Sequence, residues 1–203
     1  MIAIGLCLAI IAGGLFTIFL RCAELGNRGG KIILLPIGDF DGRVLDALEN
    51  DLEKTFNFKV ERREAIKVPA ETFSRVRGQY SSSQILNKLR GSVALEKQDK
   101  MLGITDVDLY TEGLNFVFGE AELGGQMAII SLARLHQSFY SLPENKTLFL
   151  ERAKKEAVHE LGHVFGLAHC PDPECVMHFS NSLPDTDRKS ASFCPRCREL
   201  WEP

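Results

Sequence analysis

The segment HELGHVFGLAHC, residues 159–170, limits what this chain can fold into more than any other. His159 and His163 are four residues apart. On a helix that spacing puts both imidazoles on one face, one turn apart. Glu160 falls on the neighbouring flank, placed to touch a water on a metal without ligating the metal. Gly166 lets the chain leave the helix with positive φ and turn back. That return brings His169 towards the same point. Three neutral imidazoles with one open position form the donor set of a catalytic zinc site, where a bound water has its pKa lowered to about 7. A bare H-E-x-x-H arises often by chance, whereas the full H-E-x-x-H-x-x-G-x-x-H is much harder to reach by accident. The fold must therefore end a helix near residue 166 beside an open cleft.

The next residue, Cys170, begins a second pattern. Cys170 and Cys175 form one short pair, and Cys194 and Cys197 another, 18 residues further on. Such spacing matches a closed four-thiolate zinc site, which holds structure and does no chemistry. The intervening residues 176–193 carry few core side chains, a shortage that a metal clip compensates. Two disulfides remain the alternative. Met177 is either one more core methionine or an apolar floor under the histidines. His178 is an unneeded fourth imidazole.

The rest of the chain reads as alternating strands and helices. KIILLPIG predicts a buried strand over 31–36. Asp39 and Asp41 offer N-caps to a helix whose apolar residues are Val44, Leu45, Leu48, Leu52 and Phe56. Residues 58–64 alternate like a strand, and residues 81–90 repeat at helical spacing after a serine run. Strands are expected at 104–109, at 114–119 and, after Gly124-Gly125, at 126–132. Ser141 and Glu144 resemble a capping box opening the helix that carries the histidines. This order implies a mixed α/β layer.

Residues 1–20 contain no charge and are long enough to cross a bilayer. Arg21, Arg28 and Lys31 follow, which by charge bias keeps the remainder in the cytosol. Either 1–22 is a membrane anchor or the true start lies downstream. The net charge of −3 leaves no electrostatic footprint for nucleic acid.

HELGHVFGLAHC, CVM and CPRC, with RGQY, DLY, NFVFGEA and SLARL upstream, resemble the archaemetzincins, a branch of the metzincin-type zinc peptidases. The likeness covers residues 31–200. It implies an α+β metzincin-like fold with a mixed sheet and an active-site helix. It also implies an upper part over 23–166 and a small zinc-clipped C-terminal part over 167–203. The catalytic zinc would lie on His159, His163 and His169, with Glu160 as general base and Met177 in the Met-turn. A second zinc would lie on Cys170, Cys175, Cys194 and Cys197. The expected activity is peptide-bond hydrolysis by a cytosolic, monomeric enzyme acting on peptide or protein substrates. A zinc-stabilised binding protein without turnover, or a zinc hydrolase of another bond, remain the alternatives at this point.

Overall fold

Five of the seven residues of KIILLPI are isoleucine or leucine, and this run forms the first strand of the computed structural model. The structure describes residues 29–201, so the apolar segment 1–20, Cys7 and Cys22 lie outside the described residues. In chain order come β1 (Lys31–Ile37), α1 (Arg43–Phe56), β2 (Lys59–Arg62), β3 (Phe73–Ser74), β4 (Gln79–Ser81) and α2 (Ser82–Ser92). Then follow β5 (Lys100–Thr105), β6 (Leu109–Tyr110), β7 (Gly119–Ala121), β8 (Met127–Ser131), α3 (Lys146–Val164), α4 (Leu183–Arg188) and α5 (Pro195–Trp201). The main sheet has the order β2-β1-β5-β8-β7. All its pairs are parallel except β7–β8. A small second sheet has the order β3-β4-β6.

The unbroken apolar run of β1 is explained by burial on both faces, as in parallel sheets generally. Ile32 and Leu34 point into one core with Leu48 and Leu52 of α1 and Ala157 and Leu161 of α3. Ile33, Leu35 and Ile37 point into the other, with Ile85, Leu86 and Leu89 of α2. Each such side chain, fully buried, contributes about 1.5–3 kcal/mol. The first core also takes in Met177, Phe193, Cys197 and Trp201, so the C-terminal segment packs on the same apolar centre.

Three boundaries differ from the sequence expectation, each because side chains claim backbone partners. Strand β5 ends at Thr105 instead of beginning near 104. Just beyond it Ser131 Oγ donates to Val107 O, and Arg134 clasps Asp108 through two bonds of 2.6 and 2.7 Å. Residues 114–118 are not a regular strand, and only Val117 bridges to Leu109. Arg77 and Gln79 donate to the carbonyls of Leu114 and Asn115, which a neighbouring strand would otherwise take. Ser141 does not cap α3; it closes a preceding turn at φ 59°, and Glu144 accepts from Ser138 N. Asn145 is the cap, its Oδ1 accepting from Leu148 N at 3.0 Å. At α1, Asp41 Oδ1 accepts from Arg43 N at 3.1 Å, close to the role expected of it.

Candidate metal centre and active site

Helix α3 ends as the sequence requires. Gly166 has φ +95°, and its N–H reaches His163 O while Leu167 N–H reaches Gly162 O. This paired closure with glycine in the left-handed position turns the chain sharply back along the helix. The turn after β7 is fastened to the same place, because Gly124 N donates to His163 O at 2.9 Å.

The three histidines converge. His163 Nε2 lies 3.1 Å from His159 Nε2 and 3.2 Å from His169 Nε2. A tetrahedral zinc with Zn–N near 2.0 Å separates its nitrogens by about 3.3 Å, so the spacing fits that ion. His159 Nδ1 lies 2.7 Å from Val176 O, and His163 Nδ1 lies 2.7 Å from Leu167 O. A carbonyl oxygen can only accept, so each Nδ1 carries the proton and each Nε2 offers a lone pair. Burial holds His159 well below its ordinary pKa, with the charge of Lys189 acting in the same sense. Burial lowers His163 and His169 as well. All three are thereby kept in the neutral form that a metal needs. His178 points elsewhere, its Nδ1 2.9 Å from Cys170 O.

Glu160 is buried beside this cluster. Burial pushes its carboxyl well above the usual carboxylate range, and the charge of Glu156 adds to the push. Its carboxylate packs against the backbone of Gly119 in β7, where a β-carbon would meet Glu160 Oε1 at 2.6 Å. A cavity of about 170 Å³ opens here, lined by Phe116, Phe118, Phe179, His159 and Glu160. Met177 is fully buried beneath the helix, against Gly162.

The four cysteines also meet, with their sulfur atoms all within 4.8 Å of one another. Cys170 Sγ lies 3.8 Å from Cys194 Sγ, and all four are free thiols. Zinc–sulfur bonds near 2.3 Å separate tetrahedral thiolates by about 3.8 Å, so this set fits a zinc ion too. Burial raises Cys175 and Cys197, whereas the Cys197 N–H lowers Cys194. Cys170 N–H donates to Met177 O, so the thiol loop and the floor of the histidine cluster share one backbone bond.

Sequence reasoning missed the support behind Glu160. Lys189 is 1 % exposed, and its Nζ lies 3.0 Å from Glu156 Oε1. Thr186 Oγ1 donates to the same oxygen at 3.0 Å. Arg152, one turn earlier, is held by Asp187 through two bonds of 2.7 Å. Thus α4 and Lys189 are tied to α3 by charged groups inside the protein. The signal available in the sequence was the spacing of Arg152, Glu156 and Glu160, four residues apart on one face of the helix.

Three convergent imidazoles and a buried glutamate, under a mixed sheet with one antiparallel edge strand, define a zinc metallopeptidase of the metzincin type. Comparison with known proteins agrees. The model of peptidase family M54 matches residues 44–202. The archaemetzincin of Methanocaldococcus jannaschii is 44 % identical over 167 residues, 82 % of this chain and 90 % of the relative. The crystal structure of archaemetzincin from Methanopyrus kandleri superposes with a TM-score of 0.76 at 42 % identity, over 87 % of this chain and 97 % of that one. A zinc-dependent peptidase from Methanocorpusculum labreanum also gives 0.76, at 30 % identity, over 84 % and 100 %. This chain belongs to peptidase family M54, the archaemetzincins. It is a hydrolase that acts on peptide or protein substrates.

Proposed function

We propose that Glu160 is the general base of this peptidase and that His159, His163 and His169 hold its catalytic zinc. The observation that carries this is the convergence of three Nε2 atoms beside a buried carboxylate. Zinc bound there supplies a Lewis acid that polarises a scissile carbonyl and acidifies a water. Glu160 takes the water's proton on a carboxylate oxygen and later delivers it to the departing amine nitrogen. A dication among the imidazoles favours the ionised carboxylate, opposing the effect of burial. The extended substrate pairs along β7, which stands at the end of the main sheet and carries Gly119 against Glu160.

A second zinc, on Cys170, Cys175, Cys194 and Cys197, clips residues 167–203 into a C-terminal subdomain. The catalytic part is placed in the cytosol, where thiolates stay reduced. Among the described residues no helix is long and apolar enough to cross a membrane. Labelling of a C-terminal tag on intact cells by an impermeant reagent would refute that location.

The deciding experiment is cleavage of a peptide library by purified protein, with Glu160→Gln as control and zinc measured in both. The parent should cleave and hold two zinc ions. Glu160→Gln should keep both ions and lose about 10²–10⁴-fold in turnover. Equal rates would refute the role given to Glu160.

A further inference from the structure

A larger pocket, of about 750 Å³, opens away from the histidines. It lies at the carboxyl ends of β1, β5 and β8, where Phe40, Asp106 and Leu132 follow the three strands. From β1 the chain passes through α1 to β2 on one side, and later through α2 to β5 on the other. The two helices face opposite cores. The gap between β1 and β5 is therefore the point where the winding reverses, the place at which open α/β sheets bind ligands. The volume also falls in the range of small-molecule sites. The first half of α3 contributes Phe149, about 15 Å along the helix from His159 at 1.5 Å per residue.

The chemistry of the lining narrows the ligand. Phe40, Leu132, Phe139 and Phe149 give an apolar interior, and Phe139 is 44 % exposed there. His136 is stacked on Phe149 with centroids 4.0 Å apart. The N-terminus of α1 is closed to an anion, because Asp41 already occupies it, accepting from Arg43 N and pairing with the Arg43 guanidinium; around the whole pocket three carboxylates, Asp41, Asp106 and Glu144, face two fixed cations, Arg43 and Lys146. The pairing with Arg43 holds Asp41 at a pKa of about 2, so its charge stays in place. Asp106 is in the opposite position. Among the described residues its carboxylate makes no hydrogen bond, and its one basic neighbour within 4 Å is His136, at 3.6 Å. The Asp106 side chain is 38 % exposed, and its partial desolvation raises the carboxyl. Glu144 adds a second carboxylate, 3.8 Å from His136 Nδ1.

We propose that this pocket is a second binding site, for a small aromatic molecule bearing a cationic amine. The ring lies among Phe40, Phe139 and Phe149, and the ammonium sits on Asp106. No metal is involved, and the site stands apart from the peptidase reading.

The test uses the full chain loaded with zinc, with tryptamine as the probe cation and indole-3-propionate as the same ring with an anion. Titrations followed by amide NMR should show saturable tryptamine binding with shifts at Leu132, Ala133 and Phe149. Asp106→Asn should weaken it about tenfold or more, the loss of one charged hydrogen bond. Ala133→Trp, which fills the pocket, should remove it while leaving peptide cleavage in place. Shifts confined to residues 159–169 would overturn the proposal. So would equal binding of the propionate, or tryptamine binding unchanged in both variants.

Discussion

A β-carbon on Gly119 would stand 2.6 Å from Glu160 Oε1, so strand β7 and the proposed base occupy adjoining space with no room to spare. The atoms in the way, Cγ, Cδ and Oε1, all belong to the Glu160 side chain and none to backbone. Gly119→Ala should therefore fold and bind zinc as the parent does while displacing the carboxylate. Misplacement of a catalytic group by about 1 Å can cost on the order of 10²-fold. Steady-state kinetics should show the loss mainly in kcat, with zinc content unchanged.

The other close approach is structural. A β-carbon on Gly162 would collide with Met177 Sδ and crowd Phe193. Overpacking costs about 1–3 kcal/mol, and the better helix propensity of alanine offsets about 1 kcal/mol of that. Gly162→Ala should lower stability by up to about 2 kcal/mol, or up to about 8 °C in Tm. Shortening the opposing side chain in Gly162→Ala/Met177→Val should return part of the loss. Calorimetry on the cycle of four proteins measures that coupling.

Lys189 and Glu156 form a pair shut away from solvent, at 1 % and 2 % exposure. Removing one partner strands the other. Lys189→Met should cost about 3–5 kcal/mol, or about 6–20 °C in Tm. Neutralising both, in Lys189→Met/Glu156→Gln, should recover most of it. A double variant as unstable as the single would show that packing, not charge, is at stake.

The two ligand sets should respond differently to pH. Cys175 and Cys197 are held above the ordinary thiol value, so at pH 7 they carry protons that zinc must displace. Affinity there falls as pH falls, about tenfold per pH unit for each displaced proton. The imidazoles are held below their ordinary value and are already neutral at pH 7. Affinity at the histidines should change little between about pH 8 and about pH 6.5. Competition titrations with a chromophoric chelator resolve the two steps. A parallel decline at both sites would contradict the assignment.

The histidine and cysteine sets could be read from the sequence because their spacing is local: one helix turn, one sharp reversal, two short pairs. The double burial of β1 was legible for a similar reason, since an unbroken apolar run fits few other places. Asn145 as the cap of α3 was not, because Ser141 and Glu144 carry the same residue types and only the turn geometry separates the two. The irregular path through 114–118 depends on Arg77 and Gln79, more than thirty residues away. Gly119, Glu156 and Lys189 were hidden for the same reason. Each owes its role to a neighbour distant in sequence, and although Gly119 lies in NFVFGEA, nothing in that stretch names Glu160 as its partner.

The two ends of the main sheet are protected in different ways. Strand β2 is covered by ion pairs, with Glu61 held by Lys31 and Lys59 and Arg62 by Asp46 and Glu49. Charged side chains of this kind blunt an edge against pairing with another strand. Strand β7 lacks that shield, and its one charged residue, Glu120, is turned to the hydroxyls of Ser82 and Ser83. Its protection is brevity, for it spans only three residues. In the proposed reading an edge of that length can set the register of a visiting peptide through a few backbone bonds. The same few bonds are too weak to hold another copy of the enzyme. The short strand thus favours rapid release of what it has aligned, and it keeps a surface built to receive backbone from seeding aggregation.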